Sequence, residues 1–248
     1  MNHRELEDYT GRLLEVDRFR DYCPNGLQVE GRREIDKIAT GVTASLAFLE
    51  KAGDAGADAV LVHHGLFWKG DEARITGMLR KRIGVLIESG MSLFAYHLPL
   101  DAHPLLGNNA RLGERLGFKT RARFGDQNIA MIGEIETPMT LEALGETVSA
   151  RLARPPFMVG ENSAAVKTVA WCSGAAQGML LEAARLGADA FISGEISERT
   201  VHEAIESGIA YLCAGHHATE RYGIQALGEH LAENLRLGHE FIDCDNPI

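Results

Sequence analysis

The 248-residue chain lacks several features that would assign it directly to a protein class. Its four cysteines show no CxxC spacing, so the sequence indicates neither a disulfide framework nor a cysteine-based zinc site. In a reducing compartment we expect them to be buried free thiols. No GxxxxGK[ST] motif occurs, which excludes a P-loop. No uninterrupted apolar run is long enough to span a membrane.

Positive charge is also scarce. The chain has 25 Lys and Arg residues against 35 Asp and Glu residues, a formal net charge of −10. This balance argues against tight, sequence-independent binding to nucleic acid. One stretch is locally basic, and a solvated face or a site for an anionic ligand such as a nucleotide phosphate would each explain it. Its basic residues are Arg111, Arg115, Lys119, Arg121 and Arg123.

The remaining composition is ordinary for a globular protein, with 45% hydrophobic residues, enough for one large domain or two smaller ones. The N-terminal residues 1–8 are polar and acidic, which is not typical of a secretory signal. We therefore expect a cytoplasmic protein without a membrane partner.

Apolar runs of strand length alternate with helical patterns along the chain. Strands are predicted at 35–42, 59–62, 92–96, 127–136, 166–172, 190–192 and 210–213. Helices are predicted at 2–16, 46–55, 75–88, 109–116, 179–186, 198–207 and 219–234. A further helix is predicted to begin after Thr140, which can cap it. This alternation predicts an α/β protein with a largely parallel sheet in each half.

The two halves of the chain share a weak internal similarity. Gly56-Ala57-Asp58-Ala59 recurs as Gly187-Ala188-Asp189-Ala190, at an offset of 187 − 56 = 131. Leu93-Phe94-Ala95 matches Tyr211-Leu212-Cys213 at an offset of 211 − 93 = 118. Duplication of an α/β unit would explain both matches, and chance similarity between two βα units is the alternative.

Two adjacent histidines, His63 and His64, follow the apolar run 59–62 and precede Gly65. Open α/β sheets place their ligand sites at the carboxyl ends of strands. Because neighbouring side chains in a strand point to opposite faces, we expect the pair to share a site only if the strand ends before it. Gly65 permits the turn that this requires. Two unrelated histidines, one buried and one exposed, are the alternative.

Three more residues of ligand type follow other predicted strands. Asp101 comes after the strand at 92–96, and His216 and Glu220 come after the strand at 210–213. The i, i+4 spacing of His216 and Glu220 places them on one face of a helix. A turn aspartate and a helix-surface ion pair are the alternatives. Together, imidazole and carboxylate groups after three strands predict a divalent-metal site.

The predicted metal ligands are His63, His64, Asp101, His216 and Glu220. A carboxylate that bridges two ions would complete a dinuclear centre with positions open to water. We therefore expect two similar α/β halves, residues 1–124 and 125–248, around a shared metal cleft. Two divalent ions per chain are expected, and zinc, manganese and iron all accept this set of nitrogen and oxygen ligands.

Other polar residues of the same segments are candidates for orienting ligands or transferring protons. They are His97, His103, Glu195 and His217. A neutral histidine beside two cations suits a general acid or base, and we predict His97 and His217 as the catalytic residues.

These segments resemble the motifs of the NIF-three-like dinuclear metal-centre family, whose members are called GTP cyclohydrolase I type 2 homologues. The resemblance covers nearly the whole chain. Its markers are Asn25-Gly26-Leu27-Gln28-Val29, His63-His64-Gly65-Leu66-Phe67-Trp68, His97-Leu98-Pro99-Leu100-Asp101, Gly107-Asn108-Asn109, Ser193-Gly194-Glu195 and Gly215-His216-His217-Ala218-Thr219-Glu220-Arg221. It implies metal ligands at the five predicted positions, two interlinked α/β domains, and a ring-shaped homohexamer whose metal sites face an internal cavity.

Three functions are compatible with such a centre. The first is a metal-dependent, cyclohydrolase-like hydrolase that acts on a small, nucleotide-like substrate through a metal-activated water. The second is a protein that stores, delivers or senses a metal. The third is an interaction scaffold that metals hold together. Open coordination positions favour the hydrolase, because structural metal sites are usually closed.

Overall fold

A computed structural model describes residues 1–248 and contains two β-sheets, one in each of two compact units. Unit 1 consists of Met1–Gly107 and Gly223–Cys244, and unit 2 of Asn108–Tyr222 and Asp245–Ile248. The units are defined by contacts within the folded chain, and their bounds differ from those of the predicted halves. The division of the chain at residue 124 stays a prediction. None of the helices combines the length and the apolar character needed to cross a bilayer.

Unit 1 contains a five-stranded sheet in the order β1-β4-β3-β2-β11. Its strands are β1 Gly26–Val29, β2 Lys37–Thr43, β3 Ala59–His64, β4 Ser92–Ala95 and β11 Gly238–Phe241. Neighbouring strands are parallel except for β1, which is antiparallel to β4. The largely parallel sheet predicted for the first half is confirmed.

Local sequence determines how the elements of unit 1 begin and which faces they bury. Asn2 and Glu5 form a capping box at the start of α1, and Ser45 caps α2 by accepting from the backbone N–H of Phe48. Along β3, Leu61 belongs to one apolar cluster and Val60 to another, because alternate residues face opposite sides of the sheet. The helices are α1 His3–Leu13, α2 Leu46–Asp54, α3 Gly77–Ser89 and α4 Leu98–Ala102.

Unit 2 contains a six-stranded sheet in the order β5-β6-β8-β9-β10-β7. Only β8, β9 and β10 are parallel to one another, so the prediction of a largely parallel sheet in the second half is wrong. The reason is that β5 and β6 follow each other as an antiparallel pair, which needs no crossover helix. The strands are β5 Phe118–Phe124, β6 Ala130–Thr140, β7 Phe157–Val159, β8 Ala165–Cys172, β9 Ala190–Ser193 and β10 Ala210–Cys213.

The helices of unit 2 begin where the sequence indicates. Thr140 caps α6 by accepting from the backbone N–H of Ala143, as predicted. Ser197 caps α8 in the same way, by accepting from the backbone N–H of Thr200. The helices are α5 Asn108–Leu116, α6 Leu141–Leu152, α7 Leu180–Arg185, α8 Glu198–Ser207 and α9 His216–Leu235. Residues of α9 belong to unit 2 up to Tyr222 and to unit 1 from Gly223.

The internal similarity extends to the strand register. Ile38 pairs with Ala59 between β2 and β3, and Val169 pairs with Ala190 between β8 and β9. Each residue of the second pair lies 131 positions after its counterpart in the first pair, since 169 − 38 = 131 and 190 − 59 = 131. The next parallel pair follows the second offset, because Ala59 pairs with Ser92 while Ala190 pairs with Ala210, and 210 − 92 = 118. The parallel strands β2, β3 and β4 therefore share one register plan with β8, β9 and β10.

Candidate metal centre

His63 and His64 are the last two residues of β3, so the prediction that the strand ends before them is wrong. His64 still pairs with Thr43 of β2. The two imidazole rings nevertheless lie with their centroids 4.6 Å apart. Because the strand ends at His64, no further backbone continues between the two imidazoles. The rings start on opposite faces of the sheet and can therefore approach each other beyond its edge. The expectation that His63 and His64 lie together is therefore met, although the strand does not end before them.

A backbone hydrogen bond orients the imidazole of His63, which is fully buried. Its Nδ1 donates to the carbonyl oxygen of Tyr96 at 3.0 Å, which leaves Nε2 as the atom that could bind a metal. That Nε2 lies 3.5 Å from Oδ1 of Asp101. Asp101 is buried in the short helix α4, a helix that the sequence analysis did not predict. One imidazole and one carboxylate of the predicted set thus lie together.

His97 completes a group of three imidazoles. His63, His64 and His97 each offer one ligand atom, and these atoms all lie within 4.8 Å of one another. Nδ1 of His64 is hydrogen-bonded to Oγ1 of Thr43 at 3.1 Å. His97, which the sequence suggested as a proton carrier, therefore lies within the group of possible ligands.

Asp21 and Asn25 hold His97, and neither was predicted as a site residue. Nδ1 of His97 donates to Oδ1 of Asp21 at 2.9 Å, and its backbone N–H donates to Oδ1 of Asn25 at 2.7 Å. Burial by itself would raise the pKa of the Asp21 carboxyl, but hydrogen bonds from His97 and Asn25 outweigh burial and lower it to about 2. In the sequence, Asn25 was noted only as part of the marker Asn25-Gly26-Leu27-Gln28-Val29, which does not reveal that its side chain contacts His97.

In unit 2, His216 and Glu220 lie one turn apart at the start of α9. Nε2 of His216 is 3.2 Å from Oε2 of Glu220, and its Nδ1 is 2.7 Å from Oε1 of Glu195. Burial would lower the pKa of His216, but the carboxylates of Glu220 and Glu195 raise it to about 9. Glu195 thus orients the ring of His216, and its role beside a metal ligand stays a prediction.

Two predicted histidines lie outside these groups. Nδ1 of His103 accepts from the backbone N–H groups of Leu105 and Leu106, at 3.3 and 2.9 Å, which is a local capping role. His217 is the second residue of α9, is nearly buried, and donates its backbone N–H to the carbonyl oxygen of Ile248 at 3.0 Å.

The basic stretch around β5 is a solvent-facing surface. The central residues of β5 are exposed, and their charges pair with acidic residues of the neighbouring strand β6. Lys119 lies 3.0 Å from Glu136, and Arg121 lies 3.5 Å from Glu134. Cross-strand ion pairs of this kind favour the solvated face over an anion site.

The donor chemistry fits a divalent metal. Imidazole nitrogen and carboxylate oxygen are the ligands that zinc, manganese and iron accept in proteins. The second nitrogen of each histidine in these groups is hydrogen-bonded to an oxygen, which fixes the ring as it does in known metal sites. The structure therefore contains histidine and carboxylate groups that could hold a metal ion.

Comparison with known proteins gives consistent results along the chain. Residues 1–247 match the model of the family Duf34/NIF3 (NGG1p interacting factor 3). A protein from Allochromatium vinosum named GTP cyclohydrolase 1 type 2 homolog is 52% identical over 245 residues, which cover 98% of this chain and 96% of that relative.

Solved structures agree with these matches. A structural-genomics protein called ybgI, described as of unknown function, has a TM-score of 0.96 and 47% identity, with 100% of both chains covered. A protein from Thermus thermophilus has a TM-score of 0.90 and 32% identity, again with 100% of both chains covered. The chain therefore belongs to the DUF34/NIF3 family.

Proposed function

We propose that this protein binds two divalent metal ions and hydrolyses a small, nucleotide-like substrate. The observation that carries the proposal is the group formed by His63, His64 and His97, which each offer one nitrogen within 4.8 Å of the others, so that His63 and His64 can bind metal while His97 carries a proton. Each ring is anchored through Nδ1, by Tyr96, Thr43 or Asp21. Rings anchored in this way are preorganised as neutral ligands or proton carriers.

The ligand count supports a centre with open positions. The proposed ligands are His63, His64, Asp101, His216 and Glu220. Following the resemblance, we assign all five to one pair of ions. Five protein ligands for two ions are fewer than the four per ion of a closed structural site, so water and substrate have room to bind. Two bound ions would supply an activated water and neutralise charge that develops on the substrate.

His97 is the proposed proton carrier. The Asp21 carboxylate keeps hydrogen on Nδ1, so Nε2 is the atom that exchanges a proton with the substrate. Asn25 fixes the backbone at His97, which limits the positions that the ring adopts. His217 is the second candidate, from unit 2.

Purine nucleotides are the first substrates to test, because the name of the Allochromatium vinosum relative refers to a GTP cyclohydrolase. Opening of a purine ring is a hydrolysis, which fits the donor set. The homohexamer implied by the resemblance and the cytoplasmic location expected from the N-terminal sequence belong to this proposal, and light scattering on the purified protein tests the first.

The decisive experiment measures turnover of GTP, ATP and their nucleosides with zinc, manganese or iron. The test variant is Glu220→Ala, and the control is Glu233→Ala, which removes an exposed carboxylate from the same helix. We expect turnover to fall by roughly 10²-fold or more in Glu220→Ala and to stay unchanged in Glu233→Ala. Circular dichroism checks that both variants fold.

Unchanged turnover in Glu220→Ala contradicts the proposed mechanism. Tight binding of metal without turnover of any purine contradicts hydrolysis and supports the metal-handling function instead.

A further inference from the structure

Two aromatic side chains, Tyr22 and Trp68, lie beside the three histidines of unit 1. Their ring centroids are 6.0 Å apart and their planes are inclined by 37°. Both meet His97 edge to face, Tyr22 at 5.2 Å and Trp68 at 5.1 Å between centroids. Trp68 also lies 5.9 Å from the ring of His64. We call Tyr22 and Trp68 the aromatic wall.

Trp68 packs against an apolar cluster of unit 1, but neither ring of the aromatic wall is fully buried. Tyr22 is 55% exposed, and Trp68 is only partly buried. By contrast, Tyr96, Trp171 and Tyr211 are fully buried. One exposed aromatic residue is ordinary, but two neighbouring rings that both reach solvent beside convergent polar groups are typical of a site that binds a small molecule.

Backbone hydrogen bonds hold the wall in place. The N–H of Lys69 donates to the carbonyl oxygen of Tyr22 at 2.8 Å, which joins the two loops that carry the wall. The N–H of Tyr22 donates to Oδ1 of Asp21 at 2.7 Å, the same oxygen that receives the hydrogen bond from His97. The wall and the histidine therefore share one anchor, and a ligand that binds there loses little free energy in ordering the loops.

The spacing of the wall defines how a flat ligand binds. A ring between two aromatic faces needs about 3.5 Å on each side, or about 7 Å in total. The two rings are 6.0 Å apart and tilted, so a third ring does not fit between them. A flat ligand would have to stack on the outer side of the pair, beside His97, whose ring lies 5.0 Å from that of His63.

We propose that the aromatic wall binds the planar ring of a heteroaromatic ligand, of the size of a purine base, by stacking. The assignment of this ligand as the substrate rests on the proposed function. Stacking on Tyr22 and Trp68 holds the ring next to the three imidazoles. The rest of the ligand can then bind the proposed metal ions. The wall thereby selects flat rings over substrates without one.

The fluorescence of Trp68 provides a direct test that needs no turnover. The other tryptophan, Trp171, is fully buried and donates its indole N–H to the carbonyl oxygen of Asn109, so it gives a constant background. GTP, ATP and neopterin carry a flat ring, and inorganic triphosphate does not. We expect at least one of the three ring compounds to quench Trp68, while triphosphate leaves the emission unchanged.

Variants then locate the ring. Equilibrium dialysis measures the Kd of the quenching compound. We expect Trp68→Leu and Tyr22→Leu each to raise this Kd roughly 10-fold, because each removes a stacking surface. Trp68→Phe and Tyr22→Phe keep a flat face and should retain most of the affinity. The matched control is Phe157→Leu, which removes a 60% exposed aromatic residue from unit 2 and should leave the Kd unchanged.

The outcomes separate this inference from the proposed function. If none of the ring compounds quenches Trp68, or if triphosphate binds as tightly as GTP, the inference is wrong. It is also wrong if the two leucine variants keep the wild-type Kd while the wild type hydrolyses a purine, and the proposed function then stands. Ring-dependent binding that both leucine variants weaken, without turnover, supports the wall and contradicts hydrolysis.

Discussion

At the scale of single residues, the candidate site depends on polar side chains that approach the backbone at positions where only glycine leaves room. Gly65 is one example, because a Cβ there would lie 2.2 Å from Oε1 of Gln28. That oxygen accepts the N–H of Leu66 at 2.8 Å, while Nε2 of Gln28 donates to the carbonyl oxygen of Pro24 at 2.9 Å. Gln28 thus ties the loop after the histidine pair to the loop that carries Asp21.

Gly174 is the corresponding close approach in unit 2. Its φ is +65°, and a Cβ would lie 2.3 Å from Oε1 of Glu220 and 3.2 Å from Nε2 of His216. We expect Gly174→Ala to weaken zinc binding by about 10-fold or more, because the carboxylate must move. Backbone strain should also lower the free energy of unfolding by about 1 kcal/mol. A chelator-competition titration measures the first effect and thermal unfolding the second.

Gly178→Ala is the matched control for this prediction, because a Cβ at Gly178 would meet no atom within 4 Å. It should leave zinc affinity unchanged. Wild-type zinc affinity in Gly174→Ala would show that Glu220 is not held against this backbone when the metal binds.

The ligand-type residues could be predicted from sequence because they follow apolar runs of strand length. His63, Asp101 and His216 were found in this way. The role of Asp21 and Asn25 could not be predicted, because it depends on hydrogen bonds to His97, which lies 76 and 72 residues away in the chain. No spacing rule connects a turn residue with a partner so distant.

At the scale of secondary-structure elements, the strands with a buried apolar run were predictable and the strands without one were not. Residues 210–213 coincide with β10, and residues 198–207 coincide with α8. By contrast, β5 has five central positions that are exposed or only partly buried, so its sequence carries no alternating apolar pattern. The edge strand β11 was missed for the same reason.

The edge strand β11 carries a histidine whose titration should affect stability. His239 is hydrogen-bonded through Nε2 to Oγ1 of Thr40 at 2.8 Å. Burial lowers the pKa of His239, although the charges of Glu229 and Glu240 act in the opposite direction. The unfolded chain therefore takes up this proton at a higher pH than the folded chain does. The stability that neutral His239 contributes is present above about pH 6.5 and is lost as the pH falls below it.

Urea unfolding at pH 7.5 and pH 5.0 tests this expectation. The free energy of unfolding should fall between the two pH values in the wild type, and it should fall less in His239→Gln, which has no proton to bind. Each unit by which the folded pKa is lowered corresponds to about 1.4 kcal/mol. The comparison uses the change with pH and not the absolute stability, because the substitution also alters packing against Gly228. An equal fall in both proteins would contradict the assigned direction.

At the scale of the whole molecule, two α/β units repeat one hydrogen-bonding plan. Oδ2 of Asp58 accepts the N–H groups of Asp36 and Lys37, and Oδ2 of Asp189 accepts those of Lys167 and Thr168. All three positions differ by 131. The short Gly-Ala-Asp-Ala match in the sequence thus marks a shared loop that ties the start of one strand to the next. Duplication explains this agreement better than chance does.

The mixed sheet of unit 2 was not predictable from this repeat. The repeat covers the parallel strands β2, β3, β4 and their counterparts β8, β9, β10, whereas β5 and β6 have no counterpart in the offsets. A local similarity carries information only about the segments that share it. The pairing of the antiparallel strands β5 and β6 therefore could not be inferred from the repeat.

The assignment of ligands from both repeats to one pair of ions has a thermodynamic test. His64 belongs to the first repeat and Glu220 to the second. If both residues bind the same ions, His64→Ala and Glu220→Ala should not be additive, because the second substitution acts on a centre that the first has already weakened. We expect a coupling free energy of about 0.5–3 kcal/mol in zinc affinity. The control pair, His64→Ala with Glu233→Ala, should be additive because Glu233 is exposed. Additive losses in the test pair, with each variant losing one of two bound ions, would mean that each repeat holds its own metal.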